Sequence, residues 1–175
     1  QFDSALVLLL NPNLGGAIIT NHEVHQGSHM RSGLIEHICI DTDGPECYCG
    51  GHGCLETYCS ANALEEAAGM PVKEFFQILY NSPTPTMVNI WHNYLSNLAF
   101  AIRNLNLLID GPVIISGYLA PYFREEDMQE LLERINTVSL FKMTEDQITV
   151  GNHGQYTPAV GAALYYIKKF LNMIE

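Results

Sequence analysis

Basic residues are scarce in this chain. Lys and Arg total 8 against 19 Asp and Glu in 175 residues, a formal net charge of −11. No basic cluster occurs, the nearest approach being Lys168-Lys169. A surface of that sign repels phosphate backbones, so nucleic-acid contact by this segment is not expected. Long apolar runs are also missing: none approaches the roughly 20 residues of a membrane-spanning helix, so no membrane partner is expected. No leader-like stretch opens the chain. Internal repeats and low-complexity tracts are absent. Cysteines number only 5, an odd count whose spacing favours reduced thiols and a cytoplasmic setting. What is present is a hydrophobic share of 47%. That suits one folded domain, or one lobe of something larger. The chain passes straight from Gln1 into a strand-like run, as a fragment would.

Hydrophobic periodicity orders the elements. Residues 5–10, ALVLLL, read as a buried strand, and 17–20 as a second. Asn21-His22 is a plausible hairpin turn into Glu23-Val24. A loop over 26–34 leads to an expected strand over 36–41, ended by the turn residues Asp41 to Pro45. Ser60 suits the cap of a helix over 61–68 that Gly69 stops. Pro71 opens a second helix to about Tyr80, and Thr84-Pro85 opens the longest one. The apolar stripe of that helix runs Met87, Ile90, Trp91, Tyr94, Leu95, Leu98, Ile102, Leu105, Leu108. Trp91 and Tyr94 are core residues on this reading. After Gly111-Pro112, residues 113–116 read as a parallel strand buried on both faces. A helix over 121–135, a short strand over 148–150 and a closing helix after Pro158 complete the chain. Strands followed by alternating helices and strands indicate an α/β fold.

All five cysteines lie between Cys39 and Cys59. Cys47-Tyr48-Cys49 brings two thiolates together in one turn, and Gly50, Gly51 and Gly53 let the backbone return Cys54 to the same point. His37, at the end of the expected strand, can supply a fourth ligand. Three thiolates and one imidazole suit a closed, structural tetrahedral zinc site. Binding energy would order a loop with almost no apolar content. The alternatives are reduced cysteines in a glycine-rich loop, or a disulfide, which a cytosolic setting disfavours. His52 competes with His37 for the fourth position. Cys39 alternates with Ile38 and Ile40 and faces elsewhere; Cys59 reads as a small buried residue.

The run Cys47-Tyr48-Cys49-Gly50-Gly51-His52-Gly53-Cys54-Leu55-Glu56 resembles the CxCGxxGCxE signature of the ROK family (repressors, open reading frames and kinases). The likeness extends over essentially the whole chain. Leu14 to Ile19 is similar to the strand after the family's second phosphate loop, Gly111 to Gly117 to its strand and glycine near the nucleotide, and Pro158 to Leu164 to its closing helix. The resemblance implies an actin-like fold of two ribonuclease H-like lobes, of which residues 1–175 are the C-terminal one. Within it lie a strand-rich part over 1–45, a zinc loop over 37–56, and a helical and α/β part over 60–175, a mixed sheet with flanking helices. The N-terminal lobe is absent.

The family implies transfer of the ATP γ-phosphoryl group to a hexose hydroxyl, with an Asp base and Mg²⁺. Glu56 matches the glutamate that accepts hydrogen bonds from the sugar, and His37 the histidine that binds zinc and offers its other nitrogen to a hydroxyl. A carboxylate near a helix start is the structural alternative for Glu56. Asn13, Gly15 and Gly117 are the nucleotide-side positions. Three departures stand out. Gly33-Leu34-Ile35-Glu36-His37 replaces Gly-Glu-x-Gly-His, so Leu34 occupies the usual acid position and Glu36 is the nearby acid. Asn11-Pro12-Asn13 replaces the Gly-Thr-Gly phosphate loop. The catalytic Asp and first phosphate loop would precede Gln1, and Asp3 carries no motif as a base.

The expected function is thus the sugar-binding lobe of a sugar kinase, inactive alone, with structural zinc and a hexose or N-acetylhexosamine ligand. ATP and Mg²⁺ belong to the whole protein. The alternatives are the effector lobe of a sugar-responsive repressor, and a zinc-stabilised dimerisation lobe. A homodimer is expected, a second copy covering the apolar first strands.

Overall fold

The computed structural model describes residues 2–152 and 154–171. A five-stranded mixed sheet runs in the order β3-β2-β1-β4-β5. Its strands are β1 (Ala5–Leu9), β2 (Gly15–Thr20), β3 (Glu23–Val24), β4 (Val113–Ser116) and β5 (Ile148–Val150). β1 pairs antiparallel with β2 and parallel with β4, and β4 pairs parallel with β5. The β2–β3 hairpin turns at Asn21 and His22, with φ of 53° and 63°. Two successive positive-φ residues match the right-handed twist of the flanking strands. Val113, Ile115 and Ser116 are buried in β4, between two parallel neighbours, as an apolar run in a covered sheet should be.

Among the described residues six α-helices accompany the sheet: α1 (Glu56–Cys59), α2 (Ala61–Ala68), α3 (Val72–Asn81), α4 (Pro85–Ile109), α5 (Glu125–Thr137) and α6 (Thr157–Leu171). The start and stop residues act locally. Ser60 Oγ accepts from Ala63 N–H at 3.1 Å, and Gly69 closes α2 in the left-handed region. Thr84 Oγ1 accepts from Met87 N–H at 3.3 Å in front of Pro85. These contacts satisfy amides that helix termini leave orphaned.

The core joins Leu6, Leu8, Leu10, Ile115 and Val113 of the sheet region to Trp91, Leu95, Leu98 and Ile102 of α4. Trp91 and Tyr94 stack at 5.0 Å between ring centroids inside this core. The Trp91 indole N–H donates to Asp127 Oδ1 at 2.7 Å, Tyr80 donates to Oδ2 at 2.5 Å, and Arg124 N–H donates to the same oxygen at 2.8 Å. One buried carboxylate therefore joins α3, α4 and the first turn of α5.

Three expectations need correction. The segment 36–41 is not a strand. Ile35–His37 forms a 3-10 turn, and the rest makes a single bridge, Cys39 with Cys54. The edge of β2 is already paired with β3. Ile35 is buried and lies so close over Gly16 that a Cβ there would overlap it. The segment thus crosses β2 by side-chain packing instead of joining the ladder. The helix expected over 121–135 divides into a 3-10 turn, Ala120–Tyr122, and α5, because Asp127 caps the chain at Arg124 and restarts it there. Leu108 is 80% exposed, although its spacing placed it on the buried stripe. A 3.6-residue repeat drifts around a long helix, so the stripe does not stay on one face to the last turn. The closing helix expected after Pro158 is α6, and its expected last residues lie outside the described residues.

Candidate functional site

The glycine-rich loop is held by its own backbone. Cys47 N–H donates to Gly51 O, Gly50 N–H to Cys47 O and Gly53 N–H to Pro45 O, each at 2.8 Å. Ile40 N–H donates to Gly53 O at 2.8 Å and Leu55 N–H to Ile38 O at 2.9 Å. Gly53 has φ +61°, and a Cβ there would run into the Asp41 carbonyl. Only glycine meets both demands. The loop is thereby folded back so that Cys54 bridges to Cys39 beside His37.

The donor atoms of His37, Cys47, Cys49 and Cys54 all lie within 4.8 Å of one another. Cys49 Sγ and Cys54 Sγ are 3.7 Å apart, and Cys47 Sγ lies 3.8 Å from His37 Nδ1. Sulfurs about 2.3 Å from a tetrahedral zinc stand about 3.8 Å from each other. Donor set and spacing both fit that ion, so this His/Cys cluster could hold zinc. Burial first, then the neighbouring sulfurs, push the Cys54 thiol up to about 12, whereas a hydrogen bond from the Gly51 backbone lowers Cys49. Crowded sulfurs of this kind are relieved by a cation among them. His52 is not in the cluster: its backbone bridges to Glu46. Cys39 is exposed, and Cys59 is buried under Tyr94, whose hydroxyl donates to Cys59 O at 2.8 Å.

Two residues after Cys54, Glu56 opens α1 and is 5% exposed. Leu14 N–H donates to its Oε2 at 2.7 Å, and Asn13 Nδ2 donates to its Oε1 at 3.1 Å. Burial pushes the Glu56 carboxyl up; the hydrogen bonds from Leu14 and Asn13 oppose this, Glu36 adds to it and His37 counters it. Glu36 and His37 thus both act electrostatically on Glu56. Glu36 is 9% exposed and its Oε2 lacks a hydrogen-bond partner, while Leu34 is 49% exposed.

The remaining expected positions surround the segment Asn11–Asn13. Asn11 O accepts from Ala61 N–H at 2.9 Å, and Pro12 O from Asn62 N–H at 3.3 Å. Asn11 Oδ1 accepts from Tyr118 N–H at 3.0 Å. Gly117 has φ +91°, and a Cβ there would meet Asn11 Oδ1 at 2.7 Å. Gly15 begins β2 opposite Leu9. The structure therefore brings Asn13 to Glu56 and Gly117 to Asn11. One residue of the site escaped the sequence reading. Tyr48 is 67% exposed, packs edge-on against His37 at 5.2 Å, and feels both Glu56 and Glu36. Its signal was its place between two cysteine ligands, which fixes where its ring must stand.

Comparison with known proteins agrees with this geometry. An N-acetylmannosamine kinase of Vibrio cholerae is 26% identical over 117 residues, covering 63% of this chain and 40% of that protein. The xylose repressor of Bacillus subtilis is 27% identical over 180 residues, covering 98% of this chain and 46% of the repressor. The chain thus spans less than half the length of these curated relatives. The ROK hexokinase of Thermus thermophilus superposes with a TM-score of 0.81 at 26% identity, over 96% of this chain and 59% of that one. The mixed sheet with flanking helices is the actin-like ATPase fold of these neighbours. No helix among the described residues is long and apolar enough to cross a membrane. The model of the ROK family matches residues 1–169, and with that extent of agreement the chain belongs to the ROK family.

Proposed function

We propose that this chain is the sugar-binding C-terminal lobe of a sugar kinase, in which the whole protein transfers the ATP γ-phosphoryl group to a hexose or N-acetylhexosamine. The observation that supports the reading is the buried Glu56 carboxylate, held by Leu14 and Asn13 two residues after Cys54 of the His/Cys cluster, with Glu36 and His37 acting on it electrostatically. Zinc bound by His37, Cys47, Cys49 and Cys54 is structural in this proposal: it stiffens the loop and turns the imidazole. Glu56 accepts hydroxyl hydrogen bonds on lone pairs that Asn13 and Leu14 leave free. His37, held by the ion through Nδ1, presents Nε2 to the ligand. Tyr48 offers an aromatic wall against one face of the ring.

A second reading is favoured by the segment Asn11–Asn13. The Asn11 and Pro12 carbonyls are committed to the start of α2, and the two Asn side chains to Tyr118 and Glu56. Pro12 has no N–H to give a phosphate. That arrangement suits the effector lobe of a sugar-responsive repressor, and the similarity to the xylose repressor over 98% of the chain supports it. Asn13, Gly15 and Gly117 remain the positions proposed for ATP and its Mg²⁺ in the kinase reading.

Leu164, Ile167, Phe170 and Leu171 expose an apolar face on α6, whereas Leu6, Leu8 and Leu10 of the first strand region are already buried within the chain. A second copy is the proposed cover, to be read by light scattering. The functional test is direct. Sugar-dependent ADP formation by the whole protein supports the kinase. Sugar binding without it, coupled to release from DNA, supports the repressor. Absence of sugar binding in the whole protein overturns both.

A further inference from the structure

Glu36 is the residue whose placement the proposed chemistry leaves unexplained. Its side chain is nine-tenths buried, and its Oε2 has no hydrogen-bond partner. Among the described residues, no Lys or Arg forms an ion pair with it. A buried carboxylate oxygen without a donor is costly, and the cost is recovered when a bound molecule brings the donor. The surroundings say what kind. Glu36 acts electrostatically on Glu56 and on Tyr48, and Tyr48 packs edge-on against His37. His37, the next residue, belongs to the four-ligand cluster. A divalent ion held by three thiolates leaves that cluster with residual negative charge. Glu36, Glu56 and the metal-loaded cluster are therefore all negative.

We infer that Glu36 sets ligand specificity at this site, and that it selects a hexose bearing a free amino group over the N-acetylated or phosphorylated sugar. The inference rests on the sugar-binding reading and narrows its ligand class. An ammonium brings three donors and a positive charge, and its hydrogen bond to a carboxylate is stronger than that of a hydroxyl. An N-acetyl group offers one uncharged amide N–H, a weaker partner for a carboxylate than an ammonium. A phosphorylated sugar brings negative charge to Glu36, Glu56 and the thiolates together, and among the described residues no Lys or Arg pairs with Glu36 to offset it.

The test is titration calorimetry of the zinc-loaded full chain with glucosamine, glucose, N-acetylglucosamine and glucose 6-phosphate. It is repeated on Glu36→Gln, with metal content and thermal melting measured on both proteins. Glucosamine should bind at least tenfold tighter than glucose or N-acetylglucosamine, and glucose 6-phosphate should be weakest. In Glu36→Gln the ratio of glucosamine to glucose affinity should shrink below threefold, whatever loss of affinity the two sugars share. An advantage absent from the native chain, or intact in Glu36→Gln, overturns the assignment while sugar binding stands. Silence with all four sugars overturns the sugar-binding reading itself. Should Glu36→Gln fail to fold, the native chain still decides. The advantage must fall tenfold as pH rises through the ligand amine's own pKa, and an advantage that ignores this overturns the inference.

Discussion

Asn13 donates through Nδ2 to Oε1 of Glu56 at 3.1 Å, tying the turn after β1 to the first residue of α1 across 43 positions of sequence. The Leu14 backbone holds the other oxygen at 2.7 Å. Glu56 is thus aimed from two sides before any ligand arrives, which lowers the ordering cost of binding. Asn13→Ala removes a donor to a buried carboxylate and is expected to cost about 1–3 kcal/mol of stability. Denaturant melts compare it with the native chain. Unchanged stability would show the contact to be slack.

The cluster predicts one zinc per chain, read by elemental analysis. Cys54→Ser should abolish stoichiometric metal and lower the melting temperature, because metal binding is coupled to ordering of the loop. Cys39→Ser, at an exposed position outside the cluster, should retain both. Loss of metal in the Cys39 variant would mean that the ligand set is misassigned.

Gly53→Ala places a Cβ against the Asp41 carbonyl at φ +61°. The strain is expected to cost about 1–3 kcal/mol and to slow metal uptake, both measurable on the purified variant. Gly50→Ala is the control: it shares a positive φ, but a Cβ there meets nothing within 4 Å. Equal effects at the two positions would deny a special role to the Asp41 contact.

The Tyr80–Asp127 bond gives a pH prediction. Burial first, then the hydrogen bond and charge of Asp127, hold the Tyr80 phenol well above its ordinary range. A phenol raised on folding contributes stability below the unfolded tyrosine pKa, about 10, and that contribution is lost as pH rises above it. The native chain should therefore lose stability more steeply above that pH than Tyr80→Phe. Tyr80→Phe should itself cost about 1–3 kcal/mol at neutral pH, since Asp127 loses a donor. Parallel alkaline profiles would remove Tyr80 from the account.

Glu56→Gln should retain the metal and weaken sugar binding at least tenfold, as a ligand hydroxyl loses its charged acceptor. Calorimetry with the sugar that binds the native chain reads this. Full affinity in the variant would move the sugar away from Glu56.

Much of the fold was legible because its signals are local. Ser60 and Gly69 delimit α2, Thr84-Pro85 starts α4, and Asn21-His22 turns the hairpin, each by conformational preferences a few residues wide. The parallel strand over 113–116 declared itself through unbroken apolar character. What failed was long-range. Ile38 and Ile40 alternate like a strand, yet the edge they would need is taken by β3, which no local pattern reports. Leu108 fits a helical spacing, but spacing does not say where the stripe leaves the core.

The His/Cys cluster was readable in the chain, because three thiols and an imidazole are donors that suit tetrahedral zinc, and glycines let the backbone bend between them. Of the residues outside it, His52 could be weighed from its reach within the loop, and Cys39 from its alternation with Ile38 and Ile40. Only the tertiary structure decided that Asn13 serves Glu56, that Asn11 lies against Gly117, and that Glu36 is buried with its Oε2 left without a donor. Those relations join segments tens of residues apart, and a hydrogen bond or its absence exists only once packing has set the distance between its atoms.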